Sequence, residues 1–209
     1  MQSHVCSTDM HTVRLMYFID FWNYELTMKD FEPTFLTDWF QMPSAIKKAC
    51  ASIIDMPVQY ERCFIFGSYD PNSNGDIKLR LWANKVLAKI PGVTVSFVPR
   101  QQRTRGPLCS GIEHHEILQC PFCGASMLGT QEKGVDTQIV TEMFDMAFSG
   151  RCDAIVLVSA DKDFVPAIEK LANNNIKIIH AYFPNHGNEL SARSWGSFNL
   201  FDIRDQFRR

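Results

Sequence analysis

Four aspartates carry the chemistry that this chain offers. Asp20 ends the apolar run VRLMYFID, Asp136 opens a helical pattern in EKGVD, and Asp161 and Asp163 follow AIVLV in SADKDF. Each has an ordinary explanation taken singly: Asp20 begins a turn, Asp136 complements a helix dipole, Asp163 caps a helix. Taken together they change the expectation, because carboxylates converging on one cleft repel one another unless a cation lies between them. Hard oxygen ligands select magnesium or manganese. Such an ion lowers the pKa of a bound water and stabilises the attacking and leaving oxygens of an in-line phosphoryl displacement. Phosphodiester hydrolysis is the chemistry expected, with Mg or Mn at Asp20, Asp136, Asp161 and Asp163. Asn23, three residues after Asp20, is either a turn-forming asparagine or an amide that steers water or phosphate.

A second set lies in an insertion at about 99–133, which has little regular pattern; a loop of that length in a compact domain is usually functional or disordered. Its CPFCG segment has the C-x2-C turn of a zinc knuckle, contributed by Cys120 and Cys123. Cys109 and one of His115 or His114 complete a closed tetrahedral site, so a structural zinc is expected in place of the core that this loop lacks. Free thiols are the alternative. Arg100, Arg103 and Arg105 precede the cysteines and Lys133 follows them. They read either as a solvated basic face or as groups that hold phosphates which the acidic site would otherwise repel. Trp22, Tyr24 and Tyr69 read first as core or rim aromatics and second as base-stacking platforms.

Positioning these residues requires a particular order of elements. Val13 to Ile19 is nearly continuous in apolar residues, as in a strand covered on both faces. A helix from Ser44 to about Ile54 follows, after an aromatic stretch around Pro33 expected to pack as a short helix or lid. Then come a short strand at Cys63 to Phe66, a helix capped by Asp76 and running to about Ile90, and a strand at Val93 to Phe97. Beyond the insertion the pattern predicts a helix from Asp136 to Phe148, the strand AIVLV, a helix with Pro166 in its first turn, a strand over Ile176 to Phe183, and a last strand at Leu200 to Ile203. Strands alternating with helices build an α/β fold, with a mostly parallel sheet whose functional crevice lies beyond the carboxyl ends of its strands.

Composition narrows the alternatives. With 209 residues, 45% of them hydrophobic, the chain is expected to form one globular domain over 1–209 and not a disordered segment. Lys and Arg total 21 against 23 Asp and Glu, a net charge of -2, so any polyanion-binding surface must be local. No apolar run approaches the roughly 18 residues that a membrane span needs. Seven cysteines, four of them (Cys6, Cys50, Cys63 and Cys152) without spacing, suit reduced thiols and a cytoplasmic protein with no membrane partner.

FIDFWNYE, EKGVDTQIVTEMFDMA and AIVLVSADKDFVPAIEKL, in that order over about residues 13 to 183, resemble the three signature segments of the NYN domain family of PIN-like nucleases. The resemblance implies a Rossmann-like three-layer α/β/α sandwich, here with a small zinc-binding insertion. It also implies metal-dependent RNA cleavage, with Asp20, Asp136, Asp161 and Asp163 as the acidic set and Asn23 as its polar companion. Glu142 stands where many relatives carry aspartate and is assigned no catalytic role. The segment LSARSWGSFNLFDI departs from the family pattern, since the acidic residue often found shortly after its leucine is absent. The expectation is a metal-dependent endoribonuclease. A catalytically silent RNA-binding module is the rival, and an aspartyl phosphatase is disfavoured because the first strand ends in a single aspartate and not in DxD.

Overall fold

The computed structural model describes residues 12–103, 119–124 and 127–209 in full, and residues 108–109 and 114–115 by backbone alone. In chain order the strands and α-helices are β1 (Val13–Asp20), α1 (Phe21–Phe31), α2 (Met42–Ile54), β2 (Val58–Tyr69), α3 (Asn74–Lys85), β3 (Val93–Pro99), β4 (Gln101–Gln102), β5 (Leu108–Cys109), β6 (His114–His115), β7 (Thr130–Gln131), α4 (Val135–Phe148), β8 (Ala154–Val158), α5 (Val165–Ala172), β9 (Lys177–Tyr182), α6 (Asn188–Arg193) and β10 (Gly196–Asn199).

The central sheet has six strands in the order β10-β9-β8-β1-β2-β3, and every pairing in it is parallel. Alternation along β1 explains why both faces are covered. Leu15, Tyr17 and Ile19 enter a core shared with α1, α2 and the C-terminal 3-10 segment Leu200–Phe207, while Met16 and Phe18 enter a second core with α4 and α5. All five residues of β8 are fully buried, which is why AIVLV reads as an unbroken apolar run. The chain winds outward from β1 through β2 to β3, then returns to the other side of β1 and winds through β8, β9 and β10. Strand order therefore reverses between β1 and β8, and the crevice of such a sheet opens at the carboxyl ends of those two strands.

Several elements differ from the sequence expectation. Helix α1 follows β1 with no linker, because the Asp20 side chain that ends the strand also caps the helix by accepting the Asn23 N–H. Its inward stripe of Phe21, Tyr24 and Met28 merges with the preceding apolar run, which hides the boundary. No helix forms around Pro33; Phe35 and Trp39 are buried from a loop whose Thr37 bridges Arg208. Helix α2 begins at Met42 with Pro43 in its first turn and no side-chain cap, so Ser44 is inside it. Strand β2 is 12 residues long, far beyond Cys63 to Phe66. Ser73, not Asp76, caps α3, and α3 gives way to a 3-10 turn at Leu87–Lys89 before Ile90. The last strand is Gly196–Asn199, and Leu200 begins a 3-10 helix capped by the Asn199 side chain.

Around the insertion, β4 pairs with β7 and β5 pairs with β6, both antiparallel, and the latter register sets Cys109 opposite His114 and Leu108 opposite His115. Cys50, Cys63 and Cys152 are buried free thiols, and burial pushes Cys50 up to about 12. Among the described residues no helix is long and apolar enough to cross a membrane.

Candidate functional site

Asp20 is the last residue of β1 and is 8% exposed, which is unusual for a carboxylate that has no cationic partner among the described residues. The Asn23 N–H donates to its Oδ1 at 3.2 Å, and the Ser159 hydroxyl donates to its Oδ2 at 3.3 Å. These bonds favour the ionised form, yet burial outweighs them, and the nearby Asp136 and Glu132 add repulsion. The Asp20 carboxyl is pushed up to about 7. Asp136, on the first turn of α4, is also raised, by burial first and then by Asp161, Glu132 and Asp163. The four predicted aspartates thus gather within electrostatic reach at the switch point of the sheet.

Asp161 and Asp163 have separate duties. Asp161 Oδ1 accepts the Asp163 N–H at 2.9 Å, capping the 3-10 turn Lys162–Phe164, so Asp161 is the cap that the sequence assigned to Asp163. Asp163 is exposed. Asn23 Oδ1 accepts the Ala160 N–H at 2.7 Å, tying the start of α1 to the loop after β8 and leaving its amide N–H groups as donors. Ser159, fully buried, organises that loop: its hydroxyl donates to Asp20 while accepting the Asp161 N–H at 3.2 Å. The Ser159 carbonyl accepts from His180 Nε2 at 2.7 Å, which fixes the tautomer, so Nδ1 accepts from the Ser191 hydroxyl at 2.8 Å. Burial lowers the His180 pKa, which favours the neutral imidazole.

The opposite flank is built from β2. Ser68 is fully buried; its hydroxyl accepts Arg100 Nε at 2.9 Å and donates to Glu132 Oε2. Its carbonyl accepts Trp22 Nε1 at 2.6 Å, and the Arg100 guanidinium lies 5.3 Å from the centroid of the Trp22 ring. Gly67, just before Ser68, lets Phe97 pack against Phe21, since a Cβ there would meet Phe97 Cε1 at 2.9 Å and Phe21 Cβ at 3.2 Å. Arg100 is therefore anchored at the crevice wall. Arg103 and Lys133 are exposed, and Arg105 lies outside the described residues. Glu132 is the acidic residue that the sequence reading missed. Its place four residues before Asp136, at the end of the insertion, was the signal available. Tyr24 is fully buried with its hydroxyl 2.7 Å from that of Thr37, and Tyr69 lies under Arg80, so neither presents a free face in the crevice.

Among the described residues no group of three His, Cys, Asp or Glu side chains is placed to hold a metal ion. The donor chemistry nevertheless fits magnesium, which keeps several waters and takes one or two carboxylates directly. Asp20 and Asp136, both raised first by burial and then by neighbouring carboxylates, form an all-oxygen pair whose repulsion such an ion would relieve. In the insertion, N–H groups of Phe122 and Cys123 and the Cys123 thiol lower the Cys120 pKa, and Gly124 (φ +69°) turns back so that its N–H meets the Cys120 carbonyl at 2.8 Å. That turn favours thiolate at Cys120. The side chains of Cys109, His114 and His115 lie outside the described residues.

The site thus lies where a doubly wound, all-parallel α/β sheet places its crevice, beyond the carboxyl ends of β1 and β8. The NYN domain model matches residues 14–194, and the chain belongs to that family. The crystal structure of VPA0982, a protein of unknown function from Vibrio parahaemolyticus RIMD 2210633, is similar over 100% of both chains, with 16% identity and a TM-score of 0.57, a likeness of fold. A second structure, UGT73P12 of Glycyrrhiza uralensis complexed with glycyrrhetinic acid 3-O-monoglucuronide, covers 83% of this chain and 28% of that one at 12% identity, with a TM-score of 0.26 too low to support an argument. Comparison with curated proteins finds no match.

Proposed function

We propose that the protein is a magnesium- or manganese-dependent endoribonuclease, a single NYN unit over 1–209 with the insertion at about 99–133 as its RNA guide. The observation that carries this reading is the buried Asp20 carboxyl at the switch point, pushed up to about 7 by burial and by its acidic neighbours Asp136 and Glu132. Asp20 and Asp136 would hold the metal, with Asp161 and Asp163 completing the acidic rim through water. The bound ion supplies a water of lowered pKa and charge stabilisation at the leaving oxygen. The protein's own groups do the remaining work. Ser159 holds Asp20 and the Asp161 loop in register, and the Asn23 amide donates toward the crevice. Arg100, braced by Ser68 and Trp22, meets a phosphate entering on the insertion side, with Arg103, Arg105 and Lys133 extending the basic wall.

A structural zinc belongs to the same proposal: the Cys120–Cys123 turn would supply two sulfur ligands, and the insertion's hairpin would supply Cys109 with His114, its partner in the register, or His115. The rival, a silent RNA-binding module, draws support from the lack of a three-ligand metal group among the described residues. Cleavage of a labelled single-stranded RNA with Mg2+, Mn2+ or chelator decides between them. Asp20→Asn and Asp161→Asn should each lower the metal-stimulated rate by on the order of a hundredfold while RNA still binds. Equal rates in the parent and both variants would refute the enzyme.

A further inference from the structure

Beside the acidic crevice lies a surface groove. Helices α4 and α5 cover β1, β2, β8 and β9 on one face, and between α4 and the edge strand β3 an open groove of about 380 Å³ remains above the buried Phe64 and Phe66. Phe64 and Phe66 of β2 form its floor, Thr94 and Ser96 of β3 one wall, and Gln138 and Glu142 of α4 the other. Its size is that of a small-ligand site. It lies next to the crevice, because Thr137 in its lining follows Asp136, and Phe66 is the register partner of Asp20.

The lining selects what enters. Its lining residues include no cation and one carboxylate, which favours a neutral hydrogen-bonding group over a phosphate. Glu142 is half-buried and has no hydrogen-bond or ion-pair partner among the described residues. Gln138 stands one helical turn before it on the same face. The Ser96 hydroxyl donates to Gln138 Oε1 at 3.1 Å, which leaves the amide nitrogen as donor. The wall therefore offers a donor followed by a two-oxygen acceptor. Guanine presents the complement along one edge: O6 accepts, and N1–H and N2–H2 donate side by side. Adenine and cytosine put a ring-nitrogen acceptor against the carboxylate, and uracil offers one N–H between two carbonyls.

We infer that this cavity is a guanine subsite for a base flanking the scissile phosphate, with Glu142 accepting N1–H and N2–H2 and Gln138 donating to O6. It rests on the RNA reading of the crevice. Bases in single-stranded RNA are commonly read in this way, stacked on or edged by aromatic side chains and bonded along their Watson–Crick edge.

The test uses the full chain without chelator and without added Mg2+ or Mn2+, so that binding is measured without metal-stimulated cleavage and any structural zinc is kept. Fluorescence anisotropy compares UUGUU, UUIUU, UUAUU and UUUUU, where I is inosine. UUGUU should bind about tenfold tighter than UUAUU or UUUUU, and inosine, lacking the N2 amine, should fall between. Glu142→Gln, isosteric at a half-exposed position, should abolish the preference with its melting temperature unchanged. Equal binding of all four overturns the subsite and leaves RNA binding intact. A preference that survives in Glu142→Gln overturns it as well, as does inosine binding as tightly as guanosine. If no oligonucleotide binds, the RNA reading fails, and a titration of amide resonances with free guanosine then decides the cavity: shifts at Gln138 and Glu142 uphold it, and none overturns it.

Discussion

Neutralising Asp20 should stabilise the metal-free fold while destroying its function, and the size of the effect follows from the carboxyl's surroundings. An unfolded aspartate titrates near 3.9, whereas Asp20 in the fold is pushed up to about 7. A raised carboxyl pKa means that the unfolded chain releases the proton more readily. Stability from this group is therefore fully present below about pH 3.9 and is lost as pH rises toward and through 7. The roughly three-unit gap corresponds to about 4 kcal/mol lost by pH 8, of which about 2.5 kcal/mol disappears between pH 5 and 8. Asp20 is 8% exposed, so solvent screening removes little of this. Asp20→Asn keeps an oxygen for the Asn23 N–H and carries no charge. Urea unfolding of parent and variant in chelator at pH 5 and pH 8 isolates the contribution as a double difference. The variant should gain about 2.5 kcal/mol on the parent between the two pH values, and adding Mg2+ at pH 8 should raise the parent's midpoint far more than the variant's. A double difference near zero would show that Asp20 is not strained by burial and by Asp136 and Glu132, and the case for a cation there would fall with it.

His180→Phe leaves the Ser159 carbonyl without its donor and should cost about 1–3 kcal/mol in thermal unfolding, with slower RNA cleavage because the Asp20 and Asp161 supports shift. Because burial lowers the His180 pKa, its stabilising share is present above about pH 6.5 and lost as pH falls, so the acid limb of stability should flatten in His180→Phe. Arg100→Ala should weaken RNA binding and flatten its dependence on salt, measured by anisotropy at several ionic strengths, and an unchanged slope would remove Arg100 from the phosphate path. Elemental analysis should find about one zinc per chain, lost in the Cys120→Ser, Cys123→Ser double variant.

Strands β1, β8 and β3 and helix α4 were legible in the sequence because their periodicity and burial coincide. AIVLV is apolar throughout since both of its faces are covered, and Ile139 and Met143 mark the α4 face that packs on it. The four aspartates were legible because each sits where such an element begins or ends. Helix α1 was hidden because Asp20 serves as strand end and helix cap at once, so no polar linker separates the two apolar patterns. The cap at Ser73 was passed over for Asp76, which lies three residues later and bonds back to the Ser73 hydroxyl. Glu132 and the cavity beside α4 depend on which strand lies next to which, and that information is absent from local patterns.

What finally holds the site together is a pair of serines that no spacing rule selects. Ser68 and Ser159, both fully buried, follow the apolar stretches of β2 and β8, the two neighbours of β1. Each hydroxyl accepts one N–H and donates to one carboxylate: Ser159 takes the Asp161 N–H and gives to Asp20, while Ser68 takes Arg100 Nε and gives to Glu132. A buried hydroxyl that both accepts and donates carries no desolvation debt, and it fixes the rotamer of the acid it serves. The two serines therefore clamp opposite flanks of Asp20. One is tied through His180 to β9 and α6, and the other through Arg100 and Glu132 to the two ends of the insertion. Folding of the insertion and the charge state of Asp20 are coupled through Glu132. An insertion that loosens would withdraw that carboxylate, relieve part of the repulsion on Asp20 and let its pKa fall. Glu132, at the end of the loop beyond β3, thereby adds to the repulsion on Asp20, behind burial and Asp136.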